Sequence, residues 1–141
     1  MNDVIVPVRN LRMEHDHDPR KELEARVGKV DHLTLYNNQI LVAIYERPEK
    51  TKGGLYLPDS VRKEDLYQGK VGLVLKKGPL AFVDDARNDF RGQNVEVGDW
   101  IAYRVQDGWS LVINGPGGAV ACRMLEDVQV RLGLGSPDDV Y

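Results

Sequence analysis

The sequence predicts an all-β domain, a small barrel or sandwich of short strands, on three observations. Apolar runs are short and separated by turns about every ten residues. Fourteen Gly and seven Pro punctuate them, as they do in turn-rich chains. The 141 residues hold 42% hydrophobic and 29% charged side chains, the ordinary globular balance, at the length of one domain.

The predicted strands are Gln39–Tyr45 (QILVAIY), Lys70–Lys76 (KVGLVLK), Trp100–Arg104 (WIAYR), Ser110–Ile113 (SLVI), Ala119–Met124 (AVACRM) and Val128–Leu132 (VQVRL). The first is almost continuously apolar, which predicts cover on both faces or a subunit contact. In the second, Val71, Leu73 and Leu75 alternate with Lys70, Gly72 and Lys76, one face for a core and one for water.

Asn114-Gly115-Pro116-Gly117-Gly118 puts Pro and Gly at the two central positions of a type II turn. Asp107-Gly108 reads as a tight hairpin between the third and fourth strands. Val97-Gly98-Asp99 reads as the turn into the Trp100 strand. One helix is predicted: Asp18 caps it, Pro19 takes the first position, and Lys21–Val27 follows before Gly28. It lies in a charged segment, residues 1–36, where Val4–Val8 and His32–Tyr36 are candidate extra strands.

The net charge of −3 and pI near 5.6 offer no basic face, so nucleic acid is not an expected partner. One cysteine, Cys122, excludes an internal disulfide and a multi-cysteine zinc site, and it is expected as a small buried hydrophobe. The opening MNDVIVPVRNLRMEHDHD lacks the basic leader and apolar stretch of a signal peptide. No run approaches the roughly 18–20 apolar residues of a membrane span. A soluble, cytoplasmic chain without a membrane partner is expected.

No catalytic constellation emerges, and an enzyme is not expected. His15 and His17 read as a solvated polar turn, with only His32 besides, so no metal site and no cofactor is predicted. Glycines 115, 117 and 118 match no phosphate-binding pattern. Trp100 is expected in the core and Trp109 at a hairpin edge, where it could also anchor an interface. Arg62-Lys63-Glu64-Asp65 is a mixed, solvated charge run.

Residues 46–68 form an unusually long loop, and loops of that length in compact domains are functional or disordered. In its middle stand Gly53-Gly54-Leu55-Tyr56-Leu57-Pro58. Two glycines free the chain before three large apolar residues, and a proline ends the extended stretch after them. Such a tripeptide suits a partner better than the loop's own core.

Five ordered landmarks resemble the chaperonin-10 (GroES-type) co-chaperonins. They are Gln39–Arg47 as the first core strand, Gly53–Pro58 as the mobile-loop motif, Gln68–Val74 as the return strand, Val95–Asp99 as a V-x-V-G-D turn, and Met124–Val128 as the closing stretch. The likeness covers residues 38–132, about two-thirds of the chain. It implies a GroES-like, partly open β-barrel over residues 37–132, with an N-terminal extension (1–36, helix 19–27) and a C-terminal tail (133–141). It implies further a ring lid, a heptamer, docking on the apical domains of a chaperonin ring and assisting protein folding.

Carried onto this chain, Gly53, Gly54, Leu55, Tyr56 and Leu57 would bind the partner. The strands with Ile40, Val42, Ile44, Val128 and Val130 would pair between subunits, and 78–94 would be a roof hairpin. The sequence departs from the family at Tyr56, usually aliphatic, and in residues 1–36 and 133–141. That divergence also suits an alternative, a viral (phage) structural protein. It would be a capsid-cementing or head-associated subunit that uses the barrel in the virion and grips capsid subunits with 1–36 and the loop. The zinc alcohol dehydrogenase domains also called GroES-like are excluded by the single cysteine and the short chain.

Overall fold

Strand β1 (Gln39–Ile44) sits near the middle of one antiparallel sheet and divides the core in two. The computed structural model describes residues 12–48, 56, 60 and 70–140. The other strands are β2 (Val71–Lys77), β3 (Trp100–Ala102), β4 (Trp109–Gly115), β5 (Gly118–Glu126) and β6 (Leu132–Leu134). Their order is β4-β5-β1-β2-β3-β6, so the sheet is open, with β4 and β6 outermost. The fold is the small, unclosed all-β type that the sequence predicts.

Side chains alternate across a strand, and here both sides are covered. Leu41, Ala43 and Tyr45 join Leu73, Leu75, Trp100, Cys122, Leu23 and Val27 in one cluster. Ile40 and Val42 join Val74, Ile101, Tyr103 and Leu125 in another. Of the two readings open for this apolar strand, cover on both faces is realised. β2 follows suit: Val74 enters the second cluster, and Lys76 donates from Nζ to the carbonyls of Val30 and Leu33. The expected solvent face of β2 is therefore largely covered.

Helix α1 (Pro19–Val27) forms where the sequence places it. The Asp18 carboxylate accepts from Arg20 N at 3.0 Å, Pro19 starts the helix, and Gly28 ends it with φ 74°. Only Leu23 and Val27 are buried, so tertiary contact stabilises the helix more than its own pattern does. The contact is close: a Cβ on Gly115 would lie 1.9 Å from the Arg26 carbonyl, and one on Gly28 2.7 Å from Pro116. Glycines at both points let the helix end seat on the β4–β5 turn.

The structure corrects several expectations. Val128–Leu132 is no strand. Asp127–Gln129 turn as a 3-10 element, because the Asp127 carboxylate accepts from the backbone N–H of Phe82 (3.0 Å) and of Val128 (2.7 Å) and from Asn38 Nδ2 (3.1 Å). Such side-chain bonds compete with a strand ladder, and β6 begins only at Leu132. Asp107-Gly108 makes no hairpin: β3 pairs with β2 and β6, and β4 pairs with β5. Gly108, at φ 66° and 2.0 Å from the Met124 carbonyl at its would-be Cβ, turns a connection that runs from β3, inside β6, to the opposite edge strand β4.

Pro116-Gly117 does close a hairpin, with Gly115 opposite Gly118. The positive φ falls on Gly118 (125°) and not on Gly117, so the turn is not type II. Val97-Gly98-Asp99 turns as expected: Asp99 N donates to Glu96 O at 3.0 Å and Gly98 N to Val74 O at 2.8 Å. His32–Tyr36 is not a strand, and the expected roof hairpin 78–94 contains none. Its turns are held by carboxylates, with Asp85 accepting from Arg87 N and Asn88 N and Asp84 from Phe90 N. Val4–Val8 lies outside the described residues.

Candidate functional site

The long loop leaves the sheet at Tyr45 and returns at Lys70. Beyond the last rung of β1 and β2, Tyr45 N donates to Val71 O at 2.9 Å, and Tyr103 N donates to Lys70 O at 2.9 Å. Both roots of the loop are thus tied to the sheet. Of the expected partner-binding residues, Gly53, Gly54, Leu55 and Leu57 lie outside the described residues. Tyr56 is described, and 62% of its surface is exposed.

Tyr45 carries a second set of contacts. Its hydroxyl donates to Asp138 Oδ1 at 2.6 Å and lies 3.1 Å from His15 Nε2, which is 2.9 Å from Asp138 Oδ2. Arg12 adds a 2.9 Å ion pair with Asp139, and its guanidinium holds the Asp139 carboxyl below the usual range. His15 is therefore part-buried in a polar contact and not in a solvated turn. Sequence reading missed this because its partner stands 123 positions away.

The five residues expected at subunit contacts differ in exposure. Ile40, Val42 and Ile44 are enclosed by their own chain, and Val130 packs against the second cluster. Val128 alone of the five is exposed. Large apolar surface stands instead on the edge strands, at Trp109 and Val112 of β4 and Leu132 of β6. Trp100 is in the core, with its ring 5.6 Å from that of Tyr45.

The β3–β4 connection is built on charge. Asp107 is buried, and its carboxylate accepts from Arg131 and Arg104 side chains and from Arg104 N. Those bonds, Arg131's first, hold the carboxyl well below its ordinary range against the opposing effect of burial. Arg123, also buried, donates to the carbonyls of Asp107 and Val105 and to Ser110 Oγ. This cluster fixes backbone. Cys122 is fully buried, as expected, and burial pushes its thiol up to about 12.

A family model described as "Chaperonin 10 Kd subunit" matches residues 32–117, from just before β1 to the β4–β5 turn. Among curated proteins, the chain is similar to a "Co-chaperonin GroES" of Nitratidesulfovibrio vulgaris, 32% identical over 79 residues, or 56% of this chain and 77% of the relative. A "Co-chaperonin GroES" of Oleidesulfovibrio alaskensis is 30% identical over the same share of each.

Proposed function

Because the chain belongs to the chaperonin 10 kDa subunit family, we propose that it acts in the cytoplasm as a ring lid on a chaperonin chamber and assists protein folding. The family is one of co-chaperonins and not of enzymes. The observation that carries the reading is the family match over residues 32–117, which spans the whole 46–68 loop and both strands that root it.

In this reading Leu55, Tyr56 and Leu57 dock in apolar grooves of the partner's apical domains, and Gly53 and Gly54 let them reach. Full burial of each anchor contributes about 1.5–3 kcal/mol, while ordering the surrounding backbone costs about 1 kcal/mol per residue. A single loop then binds weakly. Several on one ring bind tightly through effective concentration, and small changes in the partner's nucleotide state can switch the whole ring on or off.

With Ile40, Val42 and Ile44 occupied by their own core, the contact between subunits is assigned to the exposed apolar residues Trp109, Val112, Val128 and Leu132. Exposed edge strands need such cover. The alternative, a structural subunit of a virus particle gripping neighbours with residues 1–36, has less support, since residues 12–36 pack on their own sheet.

The test is mass photometry of the protein alone and with a chaperonin ring plus ADP. The wild type is expected as an oligomer near seven subunit masses that shifts onto the ring. Leu55→Asp with Leu57→Asp should keep the oligomer and abolish the shift. Unchanged ring binding by that double variant would remove the docking mechanism, and a wild type that ignores the ring would remove the lid.

A further inference from the structure

The N-terminal extension, which the family resemblance leaves without a counterpart, reaches the root of the long loop. We propose that His15, Tyr45 and Asp138 form a clasp through which the extension sets where and how firmly the loop leaves the barrel. The proposal rests on the reading of that loop as the partner-binding segment.

The clasp joins three remote pieces of chain at one point. The Tyr45 hydroxyl proton goes to Asp138 Oδ1 at 2.6 Å, and His15 Nε2 lies 2.9 Å from Asp138 Oδ2. A carboxylate has no proton to give, so Nε2 carries the proton in this contact. The Asp138 side chain is 6% exposed and that of His15 18%. Hydrogen bonds to a carboxylate in such surroundings are stronger than those between neutral groups.

The acceptor is held in place before it is clasped. The Asp139 carboxylate accepts from Gly135 N and Ser136 N at 3.0 Å each, which fixes the turn that presents Asp138. On the other side, Arg12 pairs with Asp139, Met13 is buried, and α1 is seated on the β4–β5 turn. His15 is thereby held from both ends.

Tyr45 is the last residue before the loop. Its N–H makes the final bond of the root, to Val71 O. The residues that follow, Glu46, Arg47 and Pro48, line a polar pocket of about 200 Å³ together with Glu22 and Arg26 of α1 and with His15 and Tyr45. The loop therefore starts out beside both the helix and the clasp. Releasing the clasp removes the polar anchor of the Tyr45 hydroxyl and lets the final rung open, which adds residues that must be ordered on docking.

The test compares His15→Ala, His15→Gln and Tyr45→Phe with the wild type by hydrogen–deuterium exchange and by affinity for a chaperonin ring with ADP. His15→Ala and Tyr45→Phe are expected to speed exchange about tenfold in peptides covering 45–48 and 70–72, as loss of one such hydrogen bond implies. Exchange at Leu41 and Met124 should stay as it is. Ring affinity should fall about tenfold or more, because each subunit's deficit is repeated around the ring. His15→Gln retains a side-chain N–H donor and should recover most of both, which general loosening of the fold would not allow.

Unchanged exchange at 45–48 in His15→Ala overturns the clasp. Faster exchange with unchanged affinity overturns its bearing on partner binding. If the wild type itself does not bind the ring, the function reading fails separately, and the exchange arm alone decides whether the clasp holds the root.

Discussion

Arg131, one residue before β6, donates from Nε to Asp107 Oδ2 at 3.2 Å, and Asp107 stands two residues before β4. These two strands are the outermost of the sheet order. The ion pair therefore links the ends of an open sheet and curls it toward a barrel that backbone hydrogen bonds do not close. Arg104 braces the same carboxylate through its side chain and its N–H.

This arrangement predicts an acid-sensitive stability. The Asp107 carboxyl is held well below the usual range in the folded chain and titrates near about 3.9 when unfolded. Between those values the unfolded state binds more protons, so stability falls as the pH drops. The contribution is complete above about pH 5 and is lost progressively below it. Asp107→Asn should lower stability by about 1–3 kcal/mol at pH 7 and flatten the acid limb. Urea midpoints at pH 7, 5, 4 and 3 measure both, and parallel profiles for variant and wild type would count against the ion pair.

What the sequence made legible, and what it hid, divides by distance along the chain. The helix was readable because Asp18, Pro19 and Gly28 act on residues beside them. β1 was readable from a continuous apolar run and β2 from alternation over a few residues. The Asp107-Gly108 pair misled, because it signals a reversal but not which strand the chain meets next. Val128–Leu132 misled because its β-branched residues follow Asp127, whose carboxylate binds Phe82 N, 45 positions earlier. Of the site, the loop tripeptide stood out as composition, while the His15–Asp138 contact left no local mark.

A second prediction uses Cys122 as a reporter. The thiol is fully buried, and burial pushes it up to about 12, so at pH 8 it stays protonated and out of reach. The thiolate is the reactive form. Labelling by an aromatic disulfide reagent should be negligible over hours in the native protein and rapid in denaturant. In intermediate urea its rate should follow opening of the sheet, because Cys122 pairs opposite both Ala43 and Leu111. Stoichiometric labelling within minutes under native conditions would contradict the packing of β5 between β1 and β4.

The last prediction concerns Tyr103, whose hydroxyl is buried and has no hydrogen-bond partner among the described residues. Burial raises its phenol above the ordinary range, against the weaker pull of Arg123, whose guanidinium carbon lies 5.8 Å from the ring centroid. A buried polar group without a partner costs about 1–3 kcal/mol, whereas the ring itself contributes packing to the second cluster and a face for the cation. Tyr103→Phe removes the costly atom and keeps both. It should raise the urea midpoint, by an amount equivalent to about 1 kcal/mol, where most core substitutions lower stability. Tyr103→Leu keeps an apolar side chain but loses the aromatic face, and it should fall below the wild type. A Phe variant less stable than the wild type would show that the hydroxyl is bonded in solution, and a Leu variant as stable as Phe would show that the Arg123 contact contributes nothing.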